Sequence, residues 1–318
     1  MIEMDICVQN LSVSFAKNQG KVNVLRHVDI TFHKNEITAV VGESGSGKSI
    51  LGAAVLGLLD DSASVTGKIM YTGQNLLELQ EEQMCKIRGF HIGWIAQDPL
   101  SAMDPMVKIG RQITEARCFL NHKTTDEEKH SAIKSLQSFG LSAPDKVYQN
   151  YPCELSGGMA QRVMSAMMTY PEPEWIIADE PTKGLDAFSR QQVAEIFRKL
   201  KKNGTSIFLI THDLQLAMAI ADKVAVMYAG EILEYGETNE VFKYPGHPYT
   251  KGLINALPEN GLMPIPGSPP NMSKIPGGCI FSPRCRFKNA ACLSAQLLSG
   301  TELHMIRCCR KKESWIHS

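Results

Sequence analysis

The stretch Gly42-Glu43-Ser44-Gly45-Ser46-Gly47-Lys48-Ser49 constrains this chain more than any other. An apolar run, 36–41, reads as a buried strand before it, and Ile50 to Leu59 reads as a helix after it. Strand, glycine-rich turn, then Lys-Ser opening a helix is the pattern of a phosphate-binding loop. Gly42, Gly45 and Gly47 let the backbone curl so that successive N–H groups, those of Ser44 and Ser46 among them, face one anion. The helix start adds the positive end of its dipole. Lys48 has the reach for β- and γ-phosphates, and the Ser49 hydroxyl suits Mg²⁺. A turn that binds nothing is the plain alternative, and the Lys-Ser pair between strand and helix argues against it. The loop therefore implies a nucleoside triphosphate with Mg²⁺.

Charge bounds the partners. Lys+Arg and Asp+Glu are both 33 in 318 residues, which argues against a nucleic-acid surface. No apolar run approaches the roughly 18 residues of a membrane span, and the start lacks a secretory pattern, so a cytosolic chain is expected. Nine cysteines, an odd count, suggest metal binding or free thiols rather than a disulfide framework.

Upstream of the loop, alternating Ile6, Val8, Leu11, Val13 and then Val22 to Phe32 read as antiparallel strands. Phe15 either stacks on an adenine ring or faces the core. Downstream, 65–71 reads as a strand, 76–87 as a helix, and 90–97 as a strand ending in a buried amide, Gln97. Residues 99–165 read as a helical insertion. Ser156 is a natural N-cap of the helix that follows, and Met159, Met164, Met167 and Met168 read as gap-filling core. Trp175 to Glu180 is an apolar strand ending in two acids. A helix over 189–201, a strand over 206–210 reaching His212, a helix over 214–221 and strands over 224–228 and 232–235 follow. This alternation implies an α/β, doubly wound sheet of parallel strands.

The later motifs resemble those of the ABC transporter ATPases. Leu155-Ser156-Gly157-Gly158-Met159-Ala160-Gln161-Arg162 is similar to that family's signature. Gln97 matches its Q-loop, Asp179-Glu180 its Walker B strand end, Leu185-Asp186 its D-loop and His212 its switch histidine. The resemblance implies a P-loop NTPase with an antiparallel β subdomain and a helical insertion. It implies catalysis by Glu180, His212, Lys48 and Gln97, with Glu180 activating water and His212 positioning it. Ser49, Gln97 and Asp179 would hold Mg²⁺. Two such subunits would dimerise head to tail, each ATP lying between one P-loop and the other subunit's Ser156, Gly157, Gly158, Gln161 and Asp186.

Finer matches are similar to the oligopeptide, dipeptide and nickel importer subfamily: Gln97-Asp98-Pro99 with Asp104-Pro105, Tyr151-Pro152, His247-Pro248-Tyr249-Thr250 and Pro283-Arg284-Cys285. Cys153, Ala160 and Lys183-Gly184 depart from that pattern without removing a catalytic group. The resemblance implies two permease subunits, a second ATPase subunit, identical or homologous, a substrate-binding protein reached through the permeases, no nucleic acid, and a place at the cytoplasmic face of the membrane. A short permease helix would dock near 97–113, beside Met103 and Met106. A soluble ABC ATPase of translation or DNA repair is the competing reading. Such proteins usually carry two cassettes or a long coiled-coil insertion, and this chain shows neither.

Residues 1–240 read as the ATPase domain and 241–318 as an extension, rich in Pro and Gly over 245–278. Its cysteines, Cys279, Cys285, Cys292 and Cys308 with Cys309 adjacent, lie in a segment with little core of its own, which needs a staple. Four thiolates suit Zn²⁺ or a [4Fe–4S] cluster, and the long gaps favour the cluster. Packed free cysteines are the alternative. Because the tail lies far along the chain from the ATP residues, a structural role is expected of it.

Overall fold

In this computed structural model, residues 4–17, 20–121, 125–273 and 275–310 are described. The chain divides into two compact units, one of residues 1–78 with 210–318 and one of residues 79–209.

The first unit begins with β1 (Ile6–Lys17) and β2 (Gly20–Phe32), paired antiparallel. Ile6 and Val8 are buried, as are Leu11 and Val13, although Leu11 is three positions on from Val8. An odd step would turn the second pair outward. A bulge absorbs it: the register shifts between Val8 and Leu11, and Asn10 sits at φ 48 with its N–H donated to Asp29. After β3 (Ile37–Val41), all five of whose residues are buried, comes α1 (Lys48–Val55). Next, β4 (Ala63–Tyr71) and β5 (Gln74–Asn75) extend the antiparallel sheet in the order β2-β1-β4-β5.

The second unit opens on α2 (Glu81–Lys86). A π turn over 87–91 then shortens the expected strand to β6 (Ile92–Ile95). Gln97 lies beyond its end and is exposed, so the expectation of a buried amide fails. The expected insertion is α3 (Pro99–Ala102), α4 (Ile109–Asn121), α5 (Asp126–Ser138), α6 (Pro144–Gln149) and α7 (Gly157–Thr169). On α7, Met164 and Met167 are buried, as expected of gap-filling core. The strand β7 (Trp175–Asp179), buried throughout, runs parallel to β6 with Trp175 opposite Ile92. It is followed by α8 (Ala187–Lys202) and β8 (Ser206–Thr211), which lies beside β7.

Back in the first unit, α9 (Leu214–Ile220) leads to β9 (Lys223–Tyr228), parallel to β3 with Val224 opposite Ala39. The parallel expectation ends there, because β10 (Glu231–Glu237) turns back antiparallel to β9. After α10 (Thr238–Lys243) and α11 (Pro248–Asn255), the tail returns as β11 (Ser299–Thr301) and β12 (His304–Ile306). This hairpin pairs with β10, Met305 opposite Tyr235, so the extension continues the sheet. Among the described residues, no helix is long and apolar enough to cross a membrane.

Candidate functional site

Between β3 and α1 the backbone turns through Gly42 at φ 153 and Gly47 at φ 104. A Cβ on Gly42 would lie 2.1 Å from the Met227 carbonyl oxygen, and one on Gly47 2.8 Å from Leu25 Cδ2. Only glycine fits either place. The turn is closed by Ser46 N–H donating to the Glu43 carbonyl, 3.2 Å. Lys48 is buried, its Nζ donating to the carbonyls of Gly42 at 2.8 Å and Glu43 at 3.0 Å. Ser44, Gly45 and Ser49 are exposed around it, and the buried Ser46 Oγ has no partner among the described residues. The loop is thus a preformed turn with a cation folded over it and an open mouth, a fit for a polyphosphate. His212, on the same unit, is exposed just past β8, and Asp213 next to it caps α9 by accepting from Leu216 N–H at 3.0 Å.

The second unit carries the other predicted residues. Asp179 and Glu180 are buried at the end of β7. Glu180 has φ 49, a left-handed backbone that an unbranched non-glycine residue adopts at a cost of about 1 kcal/mol or more. Three motif residues are helix N-caps. Ser156 accepts from Met159 N–H on α7 at 3.4 Å, Asp186 from Ser189 N–H on α8 at 2.9 Å, and Asp98 from Ser101 N–H on α3 at 3.4 Å. Hydrogen bonds hold both carboxyls below the usual range, Asp186 first through the Ser189 N–H and Asp98 first through the Ser101 hydroxyl, which donates to it at 2.6 Å. A Cβ on Gly158 would meet Leu185 at 3.7 Å, so the signature turn lies against the Leu185-Asp186 turn; Gly157 beside it is exposed. Gln161 is buried with no partner for Nε2 among the described residues.

Residues 25–183 match the ABC transporter family, and residues 233–292 match the oligopeptide/dipeptide transporter C-terminal region. Over 92% of its length the chain is 40% identical to the Bacillus subtilis dipeptide transport ATP-binding protein DppD, covering 89% of it. This chain belongs to the ABC transporter family. A second ABC relative is the Haemophilus influenzae oligopeptide transport ATP-binding protein OppD, 39% identical over 95% of each chain. Among solved structures, the dimeric ABC cassette MJ0796 superposes with a TM-score of 0.67 at 22% identity, over 73% of this chain and 98% of that one.

Two features of this ABC protein join residues that no single motif spans. First, the loop residue Glu43 is gripped from the tail. Its N–H donates to Tyr249 Oη at 2.9 Å, and its carboxylate takes both prongs of Arg284, at 2.8 and 3.1 Å. Tyr249 and Arg284 stand inside the His-Pro-Tyr-Thr and Pro-Arg-Cys motifs, yet nothing local marked them as partners of the loop. Second, Cys279, Cys285, Cys292, Cys308 and also Cys309 line one cavity of about 10 Å³. The Sγ atoms of Cys292 and Cys309 are 3.7 Å apart. Burial pushes the Cys279 thiol up to about 11 and raises Cys285, Cys308 and Cys309 as well. No three such side chains among the described residues stand close enough to hold a single metal ion. Phe15 is half-buried on β1, opposite Val22 and Ala63.

Proposed function

We propose that this ABC ATPase powers import of peptides or related small solutes through a membrane transporter. The observation that carries this reading is the 233–292 match, to an oligopeptide/dipeptide transporter C-terminal region, following the match at 25–183. Residues 1–240 form the cassette, with a helical subdomain over about 99–165, and 241–318 the extension. The amides of 42–49 and Lys48 would hold the triphosphate, Ser49, Gln97 and Asp179 would hold Mg²⁺, and Phe15 would stack on the base. When bound, Mg²⁺ would neutralise charge on the triphosphate. Glu180 orients or deprotonates the attacking water and His212 positions it. The strained φ of Glu180 supports that assignment, since such strain collects where a side chain must be aimed. Ser156, Gly157, Gly158, Gln161 and Asp186 complete the site of a second subunit, identical or homologous.

Two permeases, supplied by a substrate-binding protein, dock near 97–113 and hold the subunit at the cytoplasmic face of the membrane. Met103 is buried and Met106 is 82% exposed, so Met106 is the contact position. In the tail, five thiols around one cavity suit a [4Fe–4S] cluster, or Zn²⁺, in donor chemistry, and the long sequence gaps between the cysteines favour the cluster. The cavity holds about one water, so the thiol rotamers must swing outward to take a cluster. When bound, it would staple the tail.

The test is Glu180→Gln in cells. With ATP it should co-purify with integral membrane proteins as a non-hydrolysing dimer, and cells carrying it alone should lose peptide uptake. Peptide uptake that survives, or nickel uptake lost in its place, overturns the peptide assignment. Normal hydrolysis by Glu180→Gln overturns the catalytic one.

A further inference from the structure

We propose that Arg284 of the cysteine-lined tail is a positioning residue for nucleotide binding, fixing the phosphate loop through Glu43. The proposal rests on the reading that this loop binds ATP.

Arg284 is the residue before Cys285, and 241 positions separate it from Glu43. Its side chain is 5% exposed. Besides the two bonds to Glu43, Nε donates to the Pro266 carbonyl at 2.9 Å and Nη2 to the Ile265 carbonyl at 3.3 Å. The guanidinium lies 5.7 Å from the Tyr228 ring centre and 6.0 Å from that of Phe281. Those two rings pack with Tyr249, centroids 4.6 to 5.4 Å apart. A planar fork held on aromatic faces and aimed at a carboxylate is arginine's strongest geometry.

Glu43 is consequently held at three points. Tyr249 takes its N–H, Arg284 its carboxylate, and Lys48 its carbonyl. The grip does two things for an anion. It keeps the loop turn preformed, so less ordering is left for the ligand to bring about. It also neutralises a carboxylate that would otherwise stand unpaired beside a triphosphate and repel it. Since affinity couplings are reciprocal, nucleotide on the loop must in turn steady the tail.

The experiment uses the full-length protein and a fluorescent ATP analogue. Arg284→Ala should raise the Kd and the KM for ATP about tenfold or more while kcat falls less than twofold. Arg284→Lys, which keeps the charge and loses the fork, should recover part of that loss. Adding Glu43→Gln to Arg284→Ala removes the orphaned carboxylate and should bring Kd to within about threefold of wild type. If Arg284→Ala does not fold, Glu43→Gln breaks the pair from the other side. Nucleotide should slow hydrogen exchange of residues 279–292 in the wild type and not in that variant. A Kd for Arg284→Ala within twofold of wild type, or nucleotide protection of 279–292 that persists in Glu43→Gln, overturns the proposal. Lys48→Ala separates the two readings: if it binds nucleotide normally, the ATP site itself is wrong. If it loses binding while Arg284→Ala does not, only the tail's role is wrong.

Discussion

Removing the Glu234 carboxylate should loosen the tail from the sheet. Glu234 is fully buried on β10 and satisfies three donors. Gly246 N–H reaches Oε1 at 2.7 Å, His247 N–H reaches Oε2 at 2.9 Å, and His304 Nε2 on β12 lies 2.5 Å from Oε1. One side chain thus ties the entry to α11 and the tail hairpin to the same strand. A buried donor left without an acceptor costs about 1–3 kcal/mol, and neighbouring losses share relaxation. For Glu234→Ala the sum is about 4 kcal/mol. Glu234→Gln keeps one oxygen but turns an NH₂ group toward donors, for about 2 kcal/mol. At about 2 °C per kcal/mol for a chain of this size, the shifts in melting temperature are about 8 °C and 4 °C. Calorimetry measures them, and hydrogen exchange places them, because amides at 246–250 and 299–307 should open first. An alanine variant that melts within about 1 °C of wild type with unchanged exchange there refutes the reasoning.

Gly42→Ala should abolish nucleotide binding by titration while leaving the circular dichroism near native, because its Cβ would lie 2.1 Å from the Met227 carbonyl oxygen. Acid should destabilise the fold through His247, whose imidazole burial, with Arg307 adding, pushes down to about 3. Below the unfolded value near 6.5 the unfolded chain binds a proton that the folded one refuses, so stability falls with pH between about 6.5 and 3, by up to about 1.4 kcal/mol per pH unit, and is flat above. His247→Asn, which offers Tyr249 N–H another acceptor, should remove that increment in urea melts taken across pH. A photo-cross-linker at Met106, 82% exposed, should trap a membrane protein, whereas one at the buried Met103 should not. Anaerobically purified protein should contain iron and acid-labile sulfide, both lost on Cys285→Ser, and elemental analysis finding neither returns the cysteines to packed thiols.

The parts of the site that were legible in the sequence obey local rules. Glycines at 42, 45 and 47 before Lys-Ser require a curled backbone within eight residues, and Ser156 caps its helix three residues on. Even the antiparallel β subdomain was readable, because alternation survives a bulge once Asn10 is allowed its positive φ. Gln97 misled because the apolar run before it implied pairing up to 97, whereas β6 ends at Ile95 and Asp98 caps α3 directly after Gln97, leaving the amide in an exposed turn. The direction of β10 was also legible, because only Ala229 and Gly230 separate it from β9 and a link that short can join antiparallel strands alone.

The tail shows why distance along the chain says little about contact. Its remoteness from the P-loop supported a structural rather than a redox role, and said nothing of contact with the loop. Burial supplies the contact: a short Pro- and Arg-rich stretch with little core of its own must borrow one, and the surface it borrows decides what it can influence. Here that surface is the Tyr228 and Tyr249 face of the first unit, and Tyr249 is already bonded to the loop through Glu43 N–H. Once Phe281 packs on those rings, Arg284 three residues later is placed to reach the Glu43 carboxylate. The contact follows from packing first and charge second. On this logic Phe281→Ala should weaken the Arg284 to Glu43 pair without touching either residue, and so raise the Kd for nucleotide in the same direction as Arg284→Ala. A normal Kd in that variant would mean that the guanidinium finds Glu43 unaided.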